Sequence, residues 1–528
     1  MLYSNDTTHI PSCVSPYNPT LQNQLGRPVD PNAKGTFTEA MLRASVDEAA
    51  VPGMGAELLQ PGTGWVAWWP SKVYPLKDHL AWFQKRYGKL QPWPIHDYLL
   101  SGGDLIGPFV DECHKKRVAA LVSYRMNDVH FLETADMEEP PYGAVYALSK
   151  FYVDHPDWRL GPPPPPPAQQ GRGQNWLLPE VRAHKLAFLR EIVGQYDLDG
   201  VELDFMRYWN YFPPETPTPQ RVKVMTGFLR EVRAMLNAKR KPEDRRLWLQ
   251  VRVPSVAANW GKMGFDPKAW NRAGVDAFNL SAFYPTSQQG DIPAVRAAAP
   301  RATIYLELTH TPQVWHLVAT AMDGFDHRRS TPEMLETTAR LAYLRGADGV
   351  TIFNFPYYRE FGPVIEQRGP FDEPPFAALT PLANRARLEK RLPSYFFLAV
   401  GKDLSSGQGR ELHMDVAPPS PKSAGVLRLQ VLTQAESHAG EGVPAEKADR
   451  GRWIVTLNGK ELKPISNPVG AYPFPTSIKA GFGDASQYLA WEVPPGTAID
   501  GVNDLYAKLE HASGPRHLRW VEIWYPKK

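Results

Sequence analysis

The chain has 528 residues, too many for one ordinary compact domain, so a large domain with a smaller one is expected. Its 59 basic and 56 acidic residues leave a formal charge of +3 with no block of like charges, which argues against a nucleic-acid partner, and Cys13 and Cys113 alone cannot supply a disulfide framework. No stretch approaches the roughly 18 apolar residues of a membrane span, so no membrane partner is expected either.

The N-terminus, MLYSNDTTHI, lacks the basic, apolar and small-residue segments of a signal peptide. Either the protein is intracellular or the chain is a mature or trimmed form; the Met directly against a strand-like LYSN favours the second, and with it a secreted or periplasmic protein. From there, apolar runs separated by helical periodicity form a regular series. Strands are expected at 2–6, 54–62, 118–128, 200–207, 247–254, 277–284, 303–310 and 349–356. Helical patterns cover 104–117 before the third strand and 178–196 before the fourth. A third, 221–237, carries Met225, Phe228, Leu229, Val232, Met235 and Leu236 at helical spacing. The pattern at 331–346 opens on Thr331 with Glu333 and stops at Gly346.

Eight strands alternating with helices are what an α/β (β/α)8 TIM barrel requires, here over residues 1–392. The competing reading is an open doubly wound sheet. It is weakened because no glycine-rich phosphate loop follows any strand, and no cofactor is expected. The run GPPPPPPAQQG at 161–171 reads as a stiff spacer. Beyond residue 392 helical patterns give way to short alternating strands at 426–432, 452–459, 488–494, 503–510 and 518–525, with an Asn-Gly turn signal at 458–459. Residues 393–528 therefore read as a smaller all-β, sandwich-like domain, either an accessory module or a brace.

The stretch DLDGVELDFMRYW, 197–209, puts Asp199, Glu202, Asp204 and Arg207 into an apolar run. Alternate residues of a barrel strand point inward, so Glu202, Asp204 and Met206 share the axial face while Val201, Leu203 and Phe205 face the helices. At the C-terminal end of the fourth strand such acids would stand at the barrel mouth, where catalytic groups of this fold collect. Two carboxylates two residues apart on one face also repel, which raises the pKa of one unless a cation neutralises the pair.

Two resemblances follow from these residues. The strand is similar to the DGxDxDxE strand of family-18 chitinases, but the last acid of that motif, the proton donor, falls on Met206 here. Asp199, Gly200, Asp204 and Arg207 also match the DGxxxDxxR form of the glycosyl-hydrolase-like family 10 proteins, which the chain resembles over about residues 1–390. The LQPGTGWVAWWPSKVYP segment after the second strand and SYRMNDVH at the end of the third support that likeness. It implies a glycoside hydrolase, for which a poly- or oligosaccharide substrate is expected; the small β-domain read above is of the kind appended to many sugar-acting enzymes.

Glycoside cleavage needs one acid to protonate the leaving oxygen and a second carboxylate as nucleophile or base. Asp204 is the first candidate and Glu307, in IYLELTH on the seventh strand, the second; acids at strands four and seven resemble the layout of clan A glycosidases. Asp128 competes, in a polar cluster with Arg125, Asn127 and His130. Glu202 lies deeper and is expected to orient Asp204 or to pair with an arginine such as Arg252. Asp6 and Arg207 would bind sugar hydroxyls, while Trp65, Trp68, Trp69 and Tyr208 offer flat faces for sugar rings, with Tyr284 and Asn354 completing the floor. His130 and His310 lack a spaced metal-ligating partner, so no metal centre is expected. The alternative function is a glycan-binding barrel without activity.

Overall fold

The computed structural model describes residues 1–13, 15–18, 37–88, 93–161, 173–239, 246–312, 329–359, 373–390, 395–439, 449–476 and 483–526. The proline run after Gly161 and the 392/393 boundary lie outside the described residues. Within them the chain divides into two compact units, one of residues 1–283, 291–307 and 346–383, the other of 284–290, 308–345 and 384–528.

Eight parallel strands close into a barrel in sequence order: β1 (Leu2–Asp6), β2 (Ala56–Gln60), β3 (Ala119–Arg125), β4 (Gly200–Asp204), β5 (Trp248–Pro254), β6 (Ala277–Ser281), β7 (Thr303–Thr309) and β8 (Gly349–Phe353). Each lies within the expected run, and helices such as Ile106–Lys115, Pro179–Gln195 and Thr218–Ala238 fill the connections. The strands end sooner than their apolar runs suggest. Met126, Asn127 and Asp128 leave β3, and Met206 and Arg207 leave β4, which frees these residues to fold over the mouth.

Register sets the level of each inward group. Arg125 stands beside Asp204, Asp204 beside Arg252, and Arg252 beside Asn279 across β3 to β6. The lower interior is apolar, with Leu2, Ala56, Leu58 and Leu121 in one cluster. The upper interior, towards the strands' C-terminal ends, is filled by polar and charged side chains. Asp199 belongs to the lower rim: its carboxylate accepts from the Ala120 amide at 2.8 Å and pairs with His114 at 3.0 Å, tying the start of β4 to β3.

The second unit contains two antiparallel sheets. One has the order β10 (Gly409–Val416), β16 (Gly501–His511), β12 (Arg452–Leu457), β13 (Lys460–Glu461). The other runs β14 (Lys463–Ile465), β15 (Tyr488–Val493), β11 (Gly425–Thr433), β17 (Arg516–Trp524), β9 (Tyr395–Leu404). Asn458 and Gly459 join β12 to β13 with φ of 50° and 77°, the two positive values a tight hairpin turn requires. The helix Pro332–Leu344 belongs to this unit. Its Leu341 enters the sandwich core and its Met334 packs with Tyr395, Phe397 and Trp520, while Arg345 at its end holds Asp415 and Asp500.

Candidate active site

Two arginines organise the upper interior. Arg252 on β5 donates from Nη1 to both oxygens of Asp204, at 3.0 and 3.2 Å, and from Nε and Nη2 to Glu307 at 2.5 and 2.7 Å. Its Nη2 also reaches the Ser281 hydroxyl and the Phe283 carbonyl, and its guanidinium lies 4.2 Å from the centre of the Phe353 ring. The acids of strands four and seven are therefore brought together, as expected, but on a shared cation. All three side chains are at most 2% exposed. Asp204 Oδ1 also accepts from the Met206 and Arg207 amides, so its lone pairs are committed to donors. These donors and Arg252 engage both oxygens of the carboxylate expected to serve as acid/base.

Glu202 sits one inward step below. It accepts from Ser123 at 2.7 Å, Gln250 at 2.5 Å and Asn279 at 3.0 Å. Burial, and next the charge of Asp204, push its carboxyl up to about 7. It pairs with amides and a hydroxyl, whereas Arg252 is taken by Asp204 and Glu307; the expected Glu202–Arg252 ion pair does not form, and no sugar could reach Glu202 at this depth. Sequence reasoning missed Asn279 and Ser281. Their signal was present, since they alternate inside AFNLS as polar residues with period two.

Arg125 on β3 is the second hub, holding Asp6 at 3.1 Å, Gln60 at 2.7 Å and Asp128 at 3.1 Å. Asp6 also accepts from the Thr8 amide and hydroxyl; with its oxygens so engaged it braces the mouth rather than offering a free acceptor to a sugar hydroxyl. Burial pushes Asp6 up, but Arg125 and Thr8 outweigh it and hold the carboxyl below the usual range. Asp128 behaves likewise: burial opposes ionisation, yet His130, Arg125 and Arg207 hold it well below that range. Asp128 Oδ1 faces His130 Nδ1 at 2.6 Å, and His130 Nε2 faces Arg207 Nη2 at 2.8 Å. In this arrangement His130 Nδ1–H donates to Asp128 and Nε2 accepts from Arg207. The His130 side chain is 27% exposed, so the chain of polar groups that begins at Arg125 ends in solvent.

Around His130 lies an aromatic rim. Tyr208 meets His130 edge-on at 5.6 Å, and Phe283 lies 5.9 Å from Tyr208 and 6.0 Å from Trp209, all half-buried. Tyr208, Phe283 and Asn354, just beyond β4, β6 and β8, have φ of 67°, 78° and 53°. Non-glycine residues rarely hold such values unless their surroundings impose them, and they gather at ligand sites. Asn354 is buried with its Oδ1 unpartnered. Tyr284 lies in the second unit, edge-on to His310 at 5.6 Å.

The loop after β2 does not supply stacking faces. Trp65, Trp68 and Trp69 are all at most 1% exposed. Trp65 donates to the Asp128 carbonyl at 2.6 Å and carries the Lys185 ammonium 3.4 Å from its ring centre. Trp69 donates to Glu191, and Trp68 packs edge-on to Trp93, His96 and Tyr146. A sugar cannot stack on a covered ring, so these three are packing residues beneath the mouth. Gly64 shows how close that packing is: its φ is +81°, and a Cβ there would sit 2.2 Å from the Arg125 carbonyl. Asn127 is likewise consumed, bonding Gln174 and the Asn210 carbonyl to pin neighbouring loops. Among the described residues no three His, Cys, Asp or Glu side chains converge to hold a metal ion, and no helix is long and apolar enough to cross a membrane.

A closed (β/α)8 barrel with charged groups gathered at its C-terminal face, followed by a β-sandwich, is the architecture these observations define. No family model matches the chain, and no curated protein matches its sequence. Among solved structures it is similar to an α-L-fucosidase isoenzyme from Paenibacillus thiaminolyticus, at 13% identity and a TM-score of 0.39 over 67% of this chain; it spans 46% of that one. It is similar to the PgaB (BpsB) glycoside hydrolase domain from Bordetella bronchiseptica, at 11% identity and a TM-score of 0.42, over 72% of this chain and 98% of that one. A third is an α-amylase from Geobacillus thermoleovorans, at 13% identity and a TM-score of 0.37, over 96% and 97% of the two chains. These neighbours are glycoside hydrolases.

Proposed function

We propose that the protein is a glycoside hydrolase of the glycosyl-hydrolase-like family 10 kind, acting on a poly- or oligosaccharide outside the cytoplasm. The observation that carries the reading is the hydrogen-bonded path from the buried Arg125 through Asp128 to the half-open His130 and the aromatic rim at the C-terminal face, with Asp204 of the Arg252 hub beside Arg125 in register. Sugar rings pack their C–H faces on such rims, and barrel chemistry occurs at this end. The polarity has a direction, too. Apolar side chains fill the other end of the axis, where a merely structural core would place them throughout.

Each hub has two carboxylates around one guanidinium, leaving one negative charge in excess. Fixed negative charge beneath the mouth stabilises the oxocarbenium-like transition state of glycoside cleavage without reorganising when it forms. In this reading Asp204 and Glu307, held on Arg252, are the acids beneath the mouth. Asp128 with His130 handles the proton, because the His130 imidazole is the end of this network that meets solvent and Asp128 orients its ring.

The second reading, a glycan-binding barrel without hydrolysis, is favoured by the grip of Arg252 on both acids. New reducing ends counted after incubation with a broad glycan panel separate the two. A hydrolase releases them and loses most of that release in His130→Ala. A binding protein retains glycans on the same panel and releases none.

A further inference from the structure

Arg125, Arg207 and Arg252 stand at the upper end of the barrel axis, and among them only Arg125 and Arg252 form direct ion pairs with the described acids. Arg125 holds Asp6 and Asp128, and Arg252 holds Asp204 and Glu307. Arg207, the last residue of the DGxxxDxxR stretch, has no ion pair among the described residues. Its single side-chain hydrogen bond goes to His130 Nε2, and its Nε is buried without an acceptor. The guanidinium lies 5.8 Å from the Phe283 ring centre, inside the half-buried rim of Tyr208, Trp209 and Phe283.

A guanidinium is a planar fork of five donors suited to a carboxylate or sulfate taken through two parallel bonds. Leaving a buried N–H of such a group unbonded is costly, and sites that bind a matching anion recover that cost on binding. Asp6 and Asp128 act on Arg207 through space but are hydrogen-bonded to Arg125, so no described carboxylate occupies the Arg207 fork itself. The rings beside it would pack a sugar face at the same time as the fork takes the substituent.

We propose that Arg207 is the subsite for an acidic substituent, so that the glycan recognised at this mouth carries a ring carboxylate or sulfate. The proposal rests on the reading of the mouth as a glycan site and names the substrate class for it. Because the contact is charge on charge in a half-open site, binding weakens as ionic strength rises.

The test uses the full-length protein and matched oligosaccharide pairs: uronic-acid oligomers with their carboxyl-reduced counterparts, and sulfated oligomers with their desulfated counterparts. Affinity by titration calorimetry and reducing-end release are measured on every member, for wild type, Arg207→Gln and Arg207→Lys. The expected result is at least tenfold tighter binding of one acidic class than of its neutral partner, a preference erased in Arg207→Gln and partly kept in Arg207→Lys. Whether the uronic or the sulfated pair shows it identifies the substituent. Equal affinity within every pair, or a preference that survives Arg207→Gln, overturns the anion subsite while hydrolysis of neutral members leaves the hydrolase reading standing. Binding and cleavage of no member overturns both.

Discussion

Arg252 donates from one nitrogen, Nη1, to both carboxylate oxygens of Asp204, and neither side chain is exposed to solvent. With Glu307 on the other edge of the same guanidinium, the pairing makes β4, β5 and β7 mutually dependent. Removing one partner of a buried ion pair leaves uncompensated charge and typically costs about 3–5 kcal/mol. Arg252→Met, which leaves two carboxylates facing each other, should therefore lower unfolding free energy by at least about that much in urea titrations. A variant as stable as wild type would show that the cluster does not brace the barrel.

Glu202 gives a pH signature. Its carboxyl is pushed up to about 7 from an ordinary 4.5, first by burial and then by Asp204. Below 4.5 both folded and unfolded chains hold the proton, between 4.5 and 7 only the folded chain holds it, and above 7 neither does. Stability contributed by this group is thus lost as pH rises from 4.5 to 7, by an amount on the order of 3 kcal/mol. Glu202→Gln lacks that titration. Urea melts at pH 5 and pH 8 should show wild type losing ground to the variant at the higher pH; a constant difference would contradict it.

Asp128 runs the other way. His130, Arg125 and Arg207 hold its carboxyl below the ordinary value of 3.8 against the opposing effect of burial. Its stabilisation is present above that value and disappears as pH falls through the folded value. Acid-unfolding curves followed by circular dichroism should be less steep below pH 4 in Asp128→Asn than in wild type.

The tryptophans separate packing from binding. Trp69 is buried and bonded to Glu191, so Trp69→Ala should cost about 3–5 kcal/mol of stability while folded molecules keep their glycan affinity. Trp209 is half-buried on the rim. Trp209→Ala should leave the thermal midpoint nearly unchanged and weaken glycan binding about tenfold, on the order of 1–2 kcal/mol for one lost ring contact. The reverse pattern would move the binding face to the β2 loop.

Much of the barrel is legible because buried parallel strands are short apolar runs, and each run contains its strand. The inward face of β4 is equally legible, since period two alone sends Glu202 and Asp204 to the axis. Partner choice is not. Arg252 goes to Asp204 and Glu307 rather than to Glu202 because β5 register and side-chain reach decide it, and neither is written locally. The Trp65–Trp69 loop misleads for a similar reason: Glu191, Lys185 and the Asp128 carbonyl, all distant in sequence, cover it. In the sandwich, β9 and β10 escape notice because the burial of YFFLAVGKDL and GRELHMDV does not alternate cleanly.

The measurement that bears most directly on the account is the turnover of Asp204→Asn and Glu307→Gln on whichever glycan the wild type cleaves, with binding measured on the same samples. The account predicts that each variant, folded by circular dichroism, binds that glycan within a few-fold of wild type and loses at least about a hundredfold in kcat. Turnover at the wild-type rate in both would place the chemistry elsewhere.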